Sequence, residues 1–261
     1  TNGGAVRNLT NTPELRENSL LIAPGGTTGV VSTKLRTDGQ VNLALIDLAT
    51  GKTSPLVTEA DPVFRWEPIA WIEGGKALIA VRSNANSTLA EVWRVDAASG
   101  AKSLILGKAA TLYEASDASA DGKLIAVSTN EGTGQLRAGI YDTQAKAWRW
   151  LKPTAWEQSA GSFSPDGRTM TVTRNEDGRT FASLVDVATL AEKPFPLPPG
   201  VNSFAGSGSP FSPDGSRILV VHSGADTPSD LQVVELASGQ SNTVTAMGLA
   251  SLKAENLPKS R

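Results

Sequence analysis

Three times along the chain an aromatic residue is followed directly by a glutamate: Trp66-Glu67, Tyr113-Glu114 and Trp156-Glu157, at intervals of 47 and 43 residues. Carboxylates repeated in register, each beside an aromatic ring, could hold a cationic group such as the free amino terminus of a peptide by charge-assisted hydrogen bonds. The same pattern has a structural reading, in which the rings wedge between repeated units and the glutamates bond to neighbouring backbone N–H groups. On sequence alone the packing reading is preferred, and the six residues stand as the candidates for substrate contact. The next interval brings Ser203-Phe204, which keeps a ring and loses the acid.

Hydrolytic chemistry finds little to work with. The chain lacks the G-x-S-x-G nucleophile elbow, and a serine triad needs a histidine base oriented by an acid. The one histidine, His222 in VVHSG, closes a run that reads as a buried strand, so it is expected to be structural or at the surface. One histidine and no cysteine argue against a transition-metal site. Asn175-Glu176-Asp177-Gly178 lacks the alternating oxygen ligands of a calcium loop and falls where a hairpin is needed. Gly206-Ser207-Gly208-Ser209 has neither the lysine nor the following helix of a phosphate cradle. No catalytic residue, metal or cofactor is expected within this chain. Trp148 and Trp150 fall on one face of a strand, where packing is a better reading than an exposed partner surface.

What must position these residues is a repeat. Phe-Ser-Pro-Asp-Gly occurs at 163–167 and again at 211–215. Weaker copies are Ser119-Ala120-Asp121-Gly122, Ile72-Glu73-Gly74-Gly75 and Ala23-Pro24-Gly25-Gly26, and the final glycines are spaced by 45 to 49 residues. A period of that length marks a propeller or a solenoid. Proline presets φ for the second turn position, aspartate suits the third, and glycine takes the left-handed conformation that closes a hairpin. Asp121, Asp166 and Asp214 are therefore assigned to turns.

Strands follow the turns, as in LIAV at 124–127 and ILVV at 218–221. About twenty residues later comes a second hairpin with an acidic residue before a polar turn, as in ALIDLATGKTSPLV at 44–57 and EVWRVDAASGAKSLIL at 91–106. Four short antiparallel strands per repeat describe a propeller blade. The fold expected is all-β: a β-propeller with five complete four-stranded antiparallel blades over roughly 15–245 and essentially no helix, part of a larger ring. The 4–10 segment parallels 51–57. It is expected to be the last strand of a preceding blade, so that 1–14 and 246–261 flank the visible blades within a longer chain.

The chain carries 24 Lys+Arg against 26 Asp+Glu, a net charge of −2. With no basic excess or basic stripe, a nucleic-acid partner is not expected. No apolar run approaches the roughly 20 residues of a membrane-spanning helix, so no membrane partner is expected either. The compartment stays open.

The SPDG-turn repeat resembles the propellers of the prolyl oligopeptidase family of serine peptidases and of the Tol-system periplasmic protein. GGAVRNLTNTPE at 3–14 looks like a blade boundary of the dipeptidyl and acylaminoacyl peptidase branches. ASLKAENLPKSR at 250–261 looks like the link from such a propeller to an α/β-hydrolase domain. The resemblance implies a non-catalytic propeller that gates access to a hydrolase domain on the same chain and contacts peptide substrate. The paired-glutamate motif that some dipeptidyl peptidases use to hold the substrate amino terminus is absent. The alternative is a stand-alone protein-binding propeller of the Tol type.

Overall fold

The computed structural model of the protein describes residues 8–37, 40–204, 208–224 and 229–245. Five antiparallel four-stranded sheets follow one another along the chain. The first holds β1 (Leu15–Ile22), β2 (Thr28–Leu35), β3 (Asn42–Asp47) and β4 (Thr53–Val57), and the second β5 (Phe64–Ile72), β6 (Ala77–Asn84), β7 (Ala90–Asp96) and β8 (Lys102–Leu106). The third holds β9 (Tyr113–Ala118), β10 (Leu124–Thr129), β11 (Arg137–Asp142) and β12 (Ala147–Trp150), and the fourth β13 (Gln158–Phe163), β14 (Thr169–Glu176), β15 (Arg179–Asp186) and β16 (Glu192–Phe195). The last holds β17 (Val201–Phe204), β18 (Arg217–Ser223), β19 (Asp230–Glu235) and β20 (Ser241–Thr243). Strand order within each sheet is sequential. These are propeller blades, and the one helical element among the described residues is a single 3-10 turn, Glu73–Gly75.

The repeated turns form as their residues dictate. The Gly167 N–H donates to the Ser164 carbonyl at 2.8 Å, and Gly215 repeats this with Ser212 at 2.8 Å. Both glycines adopt positive φ, 69° and 70°, a region open to glycine at little cost. Asp166 accepts the Ser164 hydroxyl at 2.6 Å and the Arg168 amide at 3.0 Å. Those bonds hold its carboxyl below the usual range, the serine hydroxyl foremost. The acidic residue of the second hairpin caps its turn in the same manner. Asp47 accepts the amides of Ala49 and Thr50 at 3.0 and 2.7 Å, and Asp96 those of Ala98 and Ser99 at 3.2 and 2.9 Å.

The chain divides into two compact units, Thr1–Leu124 and Ile125–Arg261. In the first, Val30, Leu43 and Val57 of one blade pack on Trp66, Leu78, Ala80 and Val95 of the next. In the second, Ala182 and Phe195 pack on Phe211, Ile218, Val220 and Val234. Burying each large apolar side chain in such a seam stabilises the fold by roughly 1.5–3 kcal/mol.

Leu9 takes toward Gly51 the place that Leu56 takes toward Gly100. In both cases the leucine carbonyl stands where a glycine Cβ would be, 1.9 Å away for Leu9 and 2.3 Å for Leu56. Of the edge strand expected at 4–10, residues 8–10 are in no strand and 4–7 lie outside the described residues, as do the 246–261 segment and Gly206-Ser207.

Candidate functional site

In four of the five blades the first strand begins at the end opposite its Pro-Asp-Gly-type turn, and there one residue is driven inward; β1 of the first blade has no buried residue. Trp66 in β5, Tyr113 in β9, Gln158 in β13 and Asn202 in β17 are all buried. Trp66 is paired across the ladder with Arg82, Gln158 with Arg174 and Asn202 with His222. Because side chains alternate along a strand, the next residue points the other way. Glu67 and Glu114 are exposed on neighbouring inner strands of the first unit, where β5 and β9 lie against each other.

The third pair departs from this register. Trp66 and Tyr113 each precede the turn glycine by nine residues, Trp156 precedes Gly167 by eleven, and Gln158 holds the equivalent place. Trp156 and Glu157 therefore lie in the loop ahead of β13. The Trp156 ring is 42% exposed, and Glu157 accepts the Leu136 amide at 3.3 Å through Oε1. In the fourth blade the exposed place after the buried residue is Ser159 and in the fifth Ser203, so the carboxylate at this register belongs to Glu67 and Glu114.

Trp66 is the centre of a polar network that no sequence motif announced. Its indole N–H donates to Oε2 of Glu59 at 2.7 Å. Arg82 clamps the same carboxylate, Nε to Oε2 at 2.7 Å and a terminal nitrogen to Oε1 at 3.1 Å. The amides of Ala60 and Asp61 both donate to Oε1 at 3.1 Å. Burial alone would raise the Glu59 pKa; the hydrogen bonds from Arg82, the Asp61 amide and the Trp66 indole, with the charge of Arg82, outweigh it and bring the value to about 2. Arg82 also reaches Glu91 at 3.4 Å and lies over the Phe64 ring, 3.5 Å from its centre. Glu91 in turn accepts the Trp93 indole at 3.1 Å. The network ties the 58–63 loop to the second blade behind Glu67, so that the exposed carboxylate stands on a rigid base.

In the last blade the equivalent pair is Asn202 and His222. Nδ1 of His222 lies 3.0 Å from Oδ1 of Asn202, whose amide nitrogen donates to the Pro198 carbonyl at 2.9 Å. His222 is buried rather than at the surface, within the strand that its place in an apolar run implied. Asn175-Glu176-Asp177-Gly178 is the hairpin turn between β14 and β15, closed by the Gly178 amide on Oδ1 of Asn175 at 3.1 Å. Among the described residues no group of three or more acidic or histidine side chains is placed to hold a metal ion. Trp148 and Trp150 stack with ring centres 4.4 Å apart, Tyr141 stands edge-on to Trp148, and Arg137 covers Trp150.

No family model matches the chain, and no curated protein matches it. Solved structures share its fold. TolB from Acinetobacter baumannii is similar with a TM-score of 0.64 at 16% identity, over 88% of this chain and 52% of that one. A Mycobacterium tuberculosis puromycin-hydrolyzing peptidase has a TM-score of 0.67 at 16% identity, over 88% and 38%. An oligogalacturonate lyase in complex with manganese has a TM-score of 0.62 at 16% identity, over 88% and 65%. The chain thus spans between 38% and 65% of the length of these three structures. The fold is that of the β-propellers in peptidases of the prolyl oligopeptidase type and in TolB.

Proposed function

We propose that this chain is the non-catalytic propeller of a serine peptidase, gating access to an α/β-hydrolase domain of the same protein and contacting the peptide. The observation that carries the reading is the placement of Glu67 and Glu114, exposed on adjacent inner strands, each preceded by a buried aromatic. Two carboxylates so placed suit the ammonium of a peptide amino terminus. The likeness to peptidases whose chains run well beyond the matched propeller supports a hydrolase domain on the same polypeptide. Trp156 and Glu157 belong to the same proposal as a flanking loop contact.

The test is a fluorophosphonate probe applied to the full-length protein and to residues 1–261 alone. The full-length protein should label at one serine within a G-x-S-x-G elbow, and residues 1–261 should remain unlabelled. Labelling within residues 1–261 would sink the division of labour. A full-length protein without such a serine would favour the second reading, a stand-alone protein-binding propeller, which draws its support from the likeness to TolB.

A further inference from the structure

A groove of about 530 Å3 opens in the second unit where β15 and the chain leaving β16 part company. Its outer wall is the Pro194-Phe195-Pro196-Leu197-Pro198-Pro199-Gly200 run, in which four of seven residues are proline. Proline fixes φ and carries no N–H, so this wall is stiff and lacks a donor at four of its seven residues. The wall is also anchored. The Asn202 side chain donates to the Pro198 carbonyl at 2.9 Å, the Thr180 amide donates to the Gly200 carbonyl at 3.0 Å, and buried His222 holds Asn202. The groove is formed before any ligand arrives, which lowers the ordering cost of binding.

Its inner side presents the Phe181 ring, 45% exposed although it is a large apolar side chain. Two residues away, on the same face of β15, Arg179 stands at the rim. Its guanidinium makes no ion pair or side-chain hydrogen bond among the described residues. The other cation at the groove, Arg174, is taken up by Glu176 at 2.8 Å. Alternate residues of a strand lie about 6.5 Å apart, so an apolar surface and an unspent positive charge stand one beside the other, separated by the rise of two extended residues.

We propose that this groove binds the carboxyl-terminal end of a peptide, its last apolar side chain against Phe181 and the proline wall and its carboxylate on Arg179. The bidentate fork of arginine suits a carboxylate. A chain end fits better than an internal acidic segment. An internal segment would run on past both ends of the groove and set its backbone groups against a wall in which four of seven residues lack an N–H, and unpaired backbone polar groups are costly. The groove shares no residue with the Glu67 and Glu114 proposal and does not depend on the peptidase reading.

The experiment is fluorescence polarisation of the full-length protein with the pentapeptide Gly-Ser-Gly-Ala-Leu carrying fluorescein on its amino terminus, a blocked end that keeps Glu67 and Glu114 out of the measurement. The free acid should bind saturably, and the carboxyl-terminal amide about tenfold or more weakly, the value of a charge-assisted hydrogen bond. Arg179→Gln should abolish the difference between acid and amide, and Phe181→Ala should weaken both. Both side chains are exposed, so unchanged melting temperatures are expected for both variants. Equal binding of acid and amide, an unaltered preference in Arg179→Gln, or no saturable binding would overturn the proposal. An amidated peptide with an internal glutamate that bound as tightly as the free acid would overturn the chain-end assignment.

Discussion

Nε of Arg82 lies 2.7 Å from Oε2 of Glu59, and the pair ties the loop between the first two blades to the second blade. Glu59 is 6% exposed, and its carboxylate accepts from two amides and an indole besides the guanidinium. Such a group is fully satisfied; removing Arg82 would leave its buried charge without a counter-ion, and removing Glu59 would leave the guanidinium only Glu91, at 3.4 Å. Glu59→Gln should destabilise the fold by about 3 kcal/mol in urea denaturation. Replacing both partners, Glu59→Gln with Arg82→Met, should cost less than the sum of the two single changes. Strict additivity would mean that the ion pair does not couple the loop to the blade.

The same carboxylate sets an acid limit. Its folded pKa of about 2 lies below its ordinary value of 4.5, so the unfolded chain takes up its proton first as pH falls. The stabilisation is complete above about pH 4.5 and is lost progressively toward pH 2. Urea midpoints measured between pH 7 and pH 2.5 should fall steeply in the native protein and less steeply in Glu59→Gln. Parallel profiles would assign the acid sensitivity elsewhere. The exposed turn aspartates, among them Asp214, whose pKa the Ser212 hydroxyl and the Ser216 amide and hydroxyl bring to about 2, are screened by solvent and should contribute little.

Glycines at equal φ should respond unequally to alanine. At Gly167, φ 69°, an added Cβ meets no atom within 4 Å, so Gly167→Ala should cost only the left-handed backbone, about 1 kcal/mol. At Gly51, φ 76°, the Cβ would stand 1.9 Å from the Leu9 carbonyl oxygen. Backbone must then move, adding about 1–3 kcal/mol. Gly100→Ala should behave like Gly51→Ala, since Leu56 stands in the same way over Gly100. Thermal melts in which Gly51→Ala and Gly167→Ala coincide would show that Leu9 is not seated on Gly51.

The blades were legible in the sequence because their turns are local. Proline, aspartate and glycine must fall at fixed offsets for Ser164-Pro165-Asp166-Gly167 to close, and that requirement repeats with the blade. The inner-strand register was less legible. It is counted back from the turn, whereas the interval between aromatic–glutamate pairs is counted across connecting loops of varying length. Trp156 accordingly sits two residues ahead of Gln158, the residue that shares the place of Trp66 and Tyr113. Glu59 and Arg82 left no signal at all, because residues 23 apart meet only after the blades have stacked. The proline-walled groove was equally silent, since its anchor is the pairing of Asn202 with His222 across two strands.

The last prediction separates binding from packing at Glu67 and Glu114. Both are exposed while the residues before them are buried, so the glutamates can be altered without opening the core. Glu67→Gln with Glu114→Gln should leave the urea midpoint within about 0.5 kcal/mol of the native protein, as for surface changes generally. In the full-length protein the same double change should raise KM about tenfold or more for peptides with a free amino terminus, the value of a charge-assisted hydrogen bond. Peptides with an acetylated amino terminus should be almost unaffected, because they present no ammonium to the carboxylates. Trp66→Ala supplies the contrast. It deletes a large buried side chain and the indole donor to Glu59, and should cost about 3–5 kcal/mol of stability without choosing between the two peptide classes. A double glutamine variant that slowed both classes equally, or that lost stability with no change in KM, would return Glu67 and Glu114 to a purely structural role.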